Sequence, residues 1–244
     1  MTAAVFLVKP GEISNETRSF TLDGDEGRHA ATVKRMREGE VIHLCDGQGG
    51  RADATVVKVH KHSLDLTIDQ FTFEAAPEPR FVVVQALAKG ERAELAVEML
   101  TEVGADAIIP WRAEHSIGKW DSIEKGLDKW RRTSRESTKQ SRRAWIPEIL
   151  DLQTTAQVCE LMSHAQSVFV LHESADQALA ACAIREQGTI MIIVGPEGGI
   201  SPDELTAFTA AGARVVHMGA SVMRTSTAGA IAVGGLLMRS QRWS

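Results

Sequence analysis

The sequence predicts two parts, a small β-rich module followed by an α/β domain with a mostly parallel sheet. Residues 1–73 contain short runs of alternating apolar and polar residues separated by turn-forming stretches, which is typical of half-buried strands. From residue 81 onward, strand-like apolar runs alternate with helical patterns, an order that favours parallel strands covered on both faces. Between these parts, residues 74–80 (EAAPEPR) hold two prolines and three charged residues. We therefore place the second domain at 74–244.

Three strand candidates follow one another in the N-terminal module. The run VIHLC at 41–45 and the run ADATVVKVH at 52–60 flank the turn-forming sequence DGQGG. A third candidate has Leu64, Leu66 and Ile68 at alternating positions. Short strands this close together are typical of a small barrel or a sandwich, and both remain open at this point.

The second domain opens on FVVVQAL at 81–87, an apolar run typical of a strand that is buried on both faces. A helix is predicted next, because Leu95, Met99 and Val103 recur every four residues. Gly104 supplies the expected stop at the end of this helix.

The remaining elements continue the alternation. Residues 120–143 predict a long helix, and Ser201 with Glu204 three residues later forms a capping box that starts another one. Pro202 at the first helical position strengthens that start. Four further strands are predicted at 107–111, 167–173, 189–199 and 213–219, and the last three run into loops of glycine, proline or acidic residues.

Composition and charge exclude several classes of protein. Hydrophobic residues make up 43% of the 244 residues, which argues against disorder, and the formal charge of −5 excludes a uniformly basic nucleic-acid coat. The longest apolar stretch, 228–238, is too short to cross a membrane. The N-terminus shows no export signal, and three scattered cysteines suggest neither a disulfide framework nor a metal site. We expect a cytoplasmic protein without membrane or metal binding.

The glycine-rich loop 195–199 (GPEGG) follows a predicted strand, where ligands bind in open α/β sheets. Its glycines would let backbone N–H groups approach an anion, but Glu197 would repel a pyrophosphate, and no dinucleotide or P-loop fingerprint is present. The loop therefore suits a ligand that is neutral, cationic or rich in hydroxyl groups. A plain turn between strand and helix is the alternative.

Arg224 precedes a helix start that is rich in hydroxyl groups, at residues 225–227. A cation at a helix N-terminus opposes the helix dipole, so its position needs an explanation. Two explanations remain open, an anionic group of a substrate or an ion pair with a nearby carboxylate.

Positive charge is concentrated in residues 129–143, which hold seven Lys or Arg and one Glu. This concentration predicts contact with a phosphate backbone, and a solvated helix face is the alternative. A smaller cluster, Arg28, Lys34, Arg35 and Arg37, lies in the β-rich module.

Two C-terminal motifs carry a resemblance to a known family, VGPEGGIS at 194–201 and MGASVMRTSTA at 218–228. ALAKGERAEL at 86–95 and the sequence PEI at 147–149 follow the same family pattern in the same order. Together they resemble the SPOUT-class methyltransferases that methylate N3 of uridine in 16S ribosomal RNA. The resemblance covers essentially the whole chain, with Ser226 standing where the family usually has Glu.

The resemblance implies a PUA-like RNA-binding β-barrel over 1–73 and a SPOUT-type α/β methyltransferase domain with a trefoil knot over 74–244. It also implies S-adenosylmethionine as cofactor, 16S ribosomal RNA of the small ribosomal subunit as partner, and a homodimer. Arg224 and Thr225 would be catalytic. The cofactor would contact Leu171, Glu173, Gly195, Glu197, Gly198, Gly199, Met218, Gly219, Val222, Met223, Thr227 and Ala228. RNA would contact Arg28, Arg35, Lys89, Arg131, Arg132, Arg135 and Arg143.

Two other functions stay open beside this one. A nucleotide-dependent α/β enzyme such as a dehydrogenase is disfavoured by the missing fingerprint and by Glu197. A non-catalytic RNA-binding protein with a degenerate pocket is suggested only by the altered residue at Ser226.

Overall fold

A computed structural model describes residues 3–243, and the chain divides into two compact units. Unit 1 contains the residues up to Ala76 together with Thr138–Ile146, whereas unit 2 contains Pro77–Ser137 and the residues from Pro147 onward. A segment from the middle of the chain therefore packs with the N-terminal module. The elements of unit 1 are β1 (Val5–Leu7), β2 (Ser19–Leu22), α1 (Gly24–Arg28), β3 (Val41–Cys45), β4 (Gly50–Val59) and β5 (Leu64–Phe73).

The strands of unit 1 form one five-stranded sheet in the order β1-β3-β4-β5-β2, in which only β1 and β3 run parallel. Shifts of register between β4 and β5, at Asp53/Ala54 and Val56/Lys58, let long strands bend. The sheet encloses a core that includes Phe6, Ile42 and Leu64. Within residues 3–243 a single sheet around one core therefore favours the barrel over a sandwich of two sheets.

Unit 2 is built on a six-stranded sheet in which every pair of neighbouring strands is parallel, as predicted for the α/β domain. Its elements are β6 (Arg80–Ala86), α2 (Arg92–Val103), β7 (Ala107–Trp111), α3 (Ile123–Ser141), β8 (Glu148–Ile149), α4 (Thr155–Met162), β9 (Ser167–Leu171), β10 (Thr189–Val194), α5 (Pro202–Ala210), β11 (Arg214–Val216) and α6 (Thr225–Leu237). The strand order in the sheet is β11-β9-β10-β6-β7-β8.

Both faces of the parallel sheet are covered, because successive residues of a strand point to opposite sides. Val83 faces a core shared with α2, α3 and α6, and its neighbours Val82 and Val84 face a second core shared with α4 and α5. None of the helices in the described part of the chain has the length and apolar character needed to cross a membrane.

The predicted helix is present as α2, but its buried face is not centred on the stripe of large apolar residues that indicated it. Leu95 is 43% exposed, and the buried residues of the helix are instead Ala93, Ala96, Val97, Leu100 and Thr101. Small alanines on this face let α6 approach closely, and a Cβ added to Gly229 of α6 would lie 3.1 Å from Leu100. Close packing of two helices therefore decides which face is buried, and the four-residue spacing of larger side chains does not.

The predicted capping box at the start of α5 is confirmed. The Ser201 hydroxyl accepts from the Glu204 N–H at 3.3 Å, and the Glu204 carboxylate accepts from the Ser201 N–H at 3.1 Å. The second carboxylate oxygen of Glu204 accepts from the Glu114 N–H and from the Thr155 hydroxyl, both at 2.9 Å. This buried carboxylate therefore fixes α5 to the segment after β7 and to the start of α4.

Candidate functional site

A cleft of about 450 Å³ lies in unit 2 at the carboxyl edge of the parallel sheet. Its walls are the chain segments that follow β9, β10 and β11, together with the start of α6. These three strands are neighbours in the sheet, so their carboxyl ends meet at one place. The structure thus brings together the ends of the three predicted strands that run into loops of glycine, proline or acidic residues, at the edge where an open α/β sheet binds ligands.

Most of the residues predicted to contact a cofactor, and both residues predicted to be catalytic, line this cleft. Thr227 does not, since it lies half-buried in the first turn of α6, where its N–H donates to the Arg224 carbonyl at 2.9 Å. The predicted residues that line the cleft are Leu171, Glu173, Gly195, Glu197, Gly198, Gly199, Met218, Gly219, Val222, Met223, Arg224, Thr225 and Ala228.

Two glycines leave the cleft wall open to a ligand. Gly199 and Gly219 have φ angles of 78° and 112°, a region that favours glycine, and no atom lies within 4 Å of where a Cβ would stand. A ligand can therefore approach the backbone at these two positions.

The other two glycines of the loop serve packing within the protein. A Cβ on Gly195 would stand 2.7 Å from the side chain of Ile200, and one on Gly198 would stand 2.9 Å from both Cβ and the carbonyl oxygen of His115. Gly198 thus lets the GPEGG loop lie directly against the segment that follows β7.

Charges of both signs surround the cleft. Glu173 and Glu197 are exposed carboxylates, and Arg92 and Arg224 are exposed cations. One oxygen of the Glu197 carboxylate accepts from the backbone N–H of Lys89 at 3.4 Å, and the second oxygen has no hydrogen bond inside the described residues. A ligand that carries positive and negative groups together matches this arrangement.

Arg224 occupies the N-cap position of α6 with an extended backbone, φ −66° and ψ 147°. Its guanidinium is exposed and forms no ion pair with any residue between 3 and 243. The following residue, Thr225, is buried, and its carbonyl accepts from the Gln85 side-chain amide at 3.4 Å. The structure therefore does not support an ion pair with a nearby carboxylate as the explanation for Arg224. An anionic group of a substrate is the explanation that stays open.

The cleft residues that the sequence prediction missed include one arginine and two histidines, Arg92, His172 and His217. Nδ1 of His172 accepts from the Ser174 N–H at 3.2 Å, and Nδ1 of His217 accepts from the Gly219 N–H at 3.1 Å. In the neutral imidazole this bond places the proton on Nε2, which can donate to a ligand. His172 directly follows β9 and His217 directly follows β11. This position at the end of a strand is the sequence feature that could have identified both histidines as site residues.

The residues of unit 2 that were predicted to contact RNA differ in whether they form ion pairs within the protein. Arg131, Arg132 and Arg135 are exposed on α3, as is Lys89 on the segment between β6 and α2. Arg131 lies 3.6 Å from Asp128 and 3.9 Å from Asp151. Arg132 and Arg135 form no ion pair within the part of the chain that the structure describes.

The predicted RNA contacts of unit 1 are Arg28, Arg35 and Arg143. Arg28 is exposed and lies 3.8 Å from Asp25. Arg35 is exposed with a φ of 54°, in the left-handed region. Arg143 is half-buried, and its carbonyl accepts from the Cys45 thiol at 3.4 Å. Burial is the main cause that raises the pKa of Cys45, so this thiol stays protonated.

Family models match both units. A model described as an RNA methyltransferase domain matches residues 76–237, and one described as an RNA methyltransferase PUA domain matches residues 22–69. These matches confirm the predicted PUA-like module and the methyltransferase-type α/β domain. The trefoil knot stays a prediction.

Individual proteins are similar over nearly the whole chain. Ribosomal RNA small subunit methyltransferase E of Mycobacterium tuberculosis (strain CDC 1551 / Oshkosh) is 43% identical over 228 residues, 91% of this chain and 87% of that protein. The protein of the same name from Bacillus subtilis (strain 168) is 25% identical over 93% of this chain and 92% of its own length. A solved structure of ribosomal RNA small subunit methyltransferase E from Neisseria gonorrhoeae, bound to S-adenosyl methionine, superposes with a TM-score of 0.86 at 25% identity and covers 98% of each chain.

Proposed function

The chain belongs to the RNA methyltransferase family, and from this membership we propose that it methylates N3 of a uridine in 16S ribosomal RNA, using S-adenosylmethionine and acting on the assembled small subunit. The observation that carries the proposal is the extended identity to the mycobacterial small-subunit methyltransferase. The N3 position and the assembled subunit rest on the resemblance of residues 194–201 and 218–228 to that class. Such a substrate would place the enzyme in the cytoplasm.

The cleft residues fit S-adenosylmethionine, which combines a sulfonium, an ammonium, a carboxylate and ribose hydroxyls and would supply an electrophilic methyl group. Glu173 and Glu197 suit the positive groups, and Arg92 suits the carboxylate. The Nε2–H groups of His172 and His217 can donate to oxygen atoms. A dinucleotide would bring phosphates against the Glu197 carboxylate, so the cleft disfavours the dehydrogenase alternative.

Arg224 supplies the chemistry that uracil requires. The N3–H lies between two carbonyl groups, and loss of its proton spreads negative charge over both oxygens. A guanidinium without an ion pair at the cleft wall can stabilise that charge where it develops. Thr225, the next residue, would help fix the position of the base, and correct placement of donor and acceptor contributes much of the rate. The target nucleotide has to be unpaired or flipped out to enter the cleft.

Cofactor binding tests the proposal directly. In calorimetric titrations we expect S-adenosylmethionine and S-adenosylhomocysteine to bind and NAD not to bind. Transfer of a labelled methyl group to small-subunit particles, followed by mapping of the modified base, tests the substrate and the N3 position. Binding of NAD would favour the dehydrogenase, and cofactor binding failure with intact RNA binding would favour the non-catalytic alternative.

RNA binding is expected to depend steeply on salt, because phosphate contacts release counterions. Replacing Arg131, Arg132 and Arg135 with alanine should weaken binding to 16S ribosomal RNA and flatten the plot of log affinity against log salt, by about 0.7–0.9 for each lost contact. Arg185→Ala removes an exposed charge elsewhere on unit 2 and serves as the control. An unaltered slope in the triple variant would show that this helix face is only solvated.

A homodimer is expected in solution. Ile231 and Met238, at and just beyond α6, are 48% and 76% exposed, and Leu95 on the neighbouring α2 is 43% exposed. Light scattering should give twice the 26.5 kDa chain mass, and Ile231→Glu should lower it toward one chain. A fully active 26.5 kDa species at micromolar concentration would contradict the dimer.

A further inference from the structure

Two neighbouring strands of the parallel sheet, β9 and β11, are each followed directly by a histidine that lines the cleft. The last register pair of these strands joins Leu171 to Val216, so His172 and His217 leave the sheet at the same level. We propose that both histidines are positioning residues for the cofactor, because each imidazole, in its neutral form, holds the loop that follows it in the conformation that binds S-adenosylmethionine. This inference rests on the proposed function.

Each imidazole closes a turn at the start of its loop. Nδ1 of His172 accepts from the Ser174 N–H at 3.2 Å, and Nδ1 of His217 accepts from the Gly219 N–H at 3.1 Å. In both cases the donor lies two residues ahead, the arrangement in which an Asn or Asp side chain replaces a backbone carbonyl in a turn. Two loops of the cleft wall therefore begin with the same contact from a side chain to the backbone.

The loop at 218–223 depends on His217 for its hydrogen bonding. Among the described residues, the Gly219 N–H is the only backbone N–H of this loop that forms a hydrogen bond. The loop lines the cleft and leads directly into Arg224, whose side chain forms no capping bond to α6. Loss of the His217 contact would therefore leave the connection between β11 and α6 without a hydrogen bond from its own N–H groups.

The turn after β9 depends on His172 in a similar way. The Ser174 N–H bonds to Nδ1 of His172, and the Ala175 N–H bonds to the His172 carbonyl at 3.3 Å. Glu173, the exposed carboxylate of the cleft wall, lies between these contacts. The imidazole therefore helps to fix the backbone that carries this carboxylate.

Both contacts require an uncharged imidazole. Protonation places a hydrogen on Nδ1, which then faces a backbone N–H as a second donor, so the hydrogen bond is lost. Histidine side chains gain this proton between about pH 8 and pH 5. The two turns are therefore closed above this range and open as the pH falls through it, which predicts that cofactor affinity falls in the same direction.

Charges of both signs surround the two imidazoles, and neither imidazole forms an ion pair inside the described residues. The charged groups on the neighbouring elements are Glu173 and Asp176 after β9, Glu197 on the GPEGG loop, Arg92 on α2, Arg224 at the start of α6, and Arg239 beyond α6, which donates to the Leu179 carbonyl beside His217. Because other groups and the ligand can also titrate, the test has to compare variants that differ only at the histidines.

Calorimetric titration with S-adenosylhomocysteine, which lacks the sulfonium charge, tests the inference at about pH 8 and about pH 5.5. Loss of one hydrogen bond weakens binding about 2- to 10-fold, so the wild type should bind about 4- to 100-fold more weakly at the lower pH. His172→Asn and His217→Asn carry an oxygen on Cγ, where histidine carries Nδ1, and Asn accepts in such turns without titrating. The double Asn variant should therefore recover most of the wild-type affinity at the higher pH and lose most of the pH dependence.

Three controls accompany the Asn variants. His172→Ala and His217→Ala remove the acceptor, so each should bind about 2- to 10-fold more weakly than the wild type at about pH 8. His172→Gln and His217→Gln place polar atoms near the position of Nε2 but not of Nδ1, so they should bind as weakly as the alanine variants. His164→Asn changes an exposed histidine after α4, outside the cleft, and should keep the wild-type pH dependence. Thermal melting at both pH values confirms that the compared proteins are folded.

The outcomes separate this inference from the proposed function. Equal pH dependence in the wild type and the double Asn variant would overturn it, because another group would then be the one that titrates. Recovery by Gln but not by Asn would show that the imidazoles act on the ligand through Nε2, and a melting temperature that falls together with affinity in the Asn variants would show a general structural role. Either result would also overturn the inference. The expected pH dependence without methyl transfer to small-subunit particles would contradict the proposed function and leave the inference intact.

Discussion

Arg224→Ala is expected to lower the rate of methyl transfer by about 10²–10³, the usual loss when one donor to a developing negative charge is removed. Cofactor affinity and melting temperature should remain near wild-type values. The physical reason is that the guanidinium is exposed and forms no ion pair in the described chain, so its removal leaves no buried charge behind. Single-turnover transfer to small-subunit particles, with calorimetry and thermal melting alongside, measures the three quantities separately.

Two further variants sharpen the test of Arg224. Arg224→Lys keeps the charge but lacks the planar fork that addresses a carbonyl with two donors, so only partial recovery is expected. Arg185→Ala changes the net charge equally at an exposed position outside the cleft and should transfer methyl groups normally. Normal transfer by Arg224→Ala would exclude the role in chemistry, and an equal loss of stability and activity would indicate a structural ion pair after all.

Local patterns in the sequence predicted which segments meet at the cleft, and the roles of their residues stay predictions. The Ser201 capping box and the strand ends at Leu171 and Val194 depend on neighbouring residues only, so the sequence contains what is needed to predict them. The parallel order of the strands then brings these ends together without further information. Arg224 stood out because a cation at a helix start opposes the dipole, an effect that is also local.

Contacts between residues that lie far apart in the sequence could not be predicted from local patterns. Glu204 binds the N–H of Glu114, 90 positions away, and the hydroxyl of Thr155, 49 positions away, and nothing in its local sequence indicates either bond. The recurrence of Leu95, Met99 and Val103 indicates a helix but not its buried face, which packing of α6 sets on the alanine side. Residues 138–146 join unit 1 for the same reason, through bonds such as that of the Gly49 N–H to the Ala144 carbonyl at 3.0 Å.

Gly198→Val is expected to weaken S-adenosylmethionine binding roughly 5- to 150-fold, which corresponds to an overpacking cost of about 1–3 kcal/mol. The resemblance places Gly198 in contact with the cofactor, whereas the structure places its Cβ position against the protein itself. The new Cβ would stand 2.9 Å from Cβ and the carbonyl oxygen of His115. The neighbouring Glu114 N–H is held by the buried Glu204 carboxylate at 2.9 Å, so the His115 segment resists displacement. The GPEGG loop therefore has to move, and it carries Glu197 out of place.

A matched glycine separates this effect from general damage. Gly212 has a φ of 97° and free space around its Cβ position, and it follows α5 outside the cleft. Gly212→Val should therefore lose stability through backbone strain while binding S-adenosylmethionine as the wild type does. Gly198→Val should lose cofactor affinity at temperatures where both variants are folded, as judged by calorimetry after thermal melting. Wild-type affinity in folded Gly198→Val would refute this placement of the cofactor, because no bound ligand on the GPEGG backbone could be indifferent to movement of the loop.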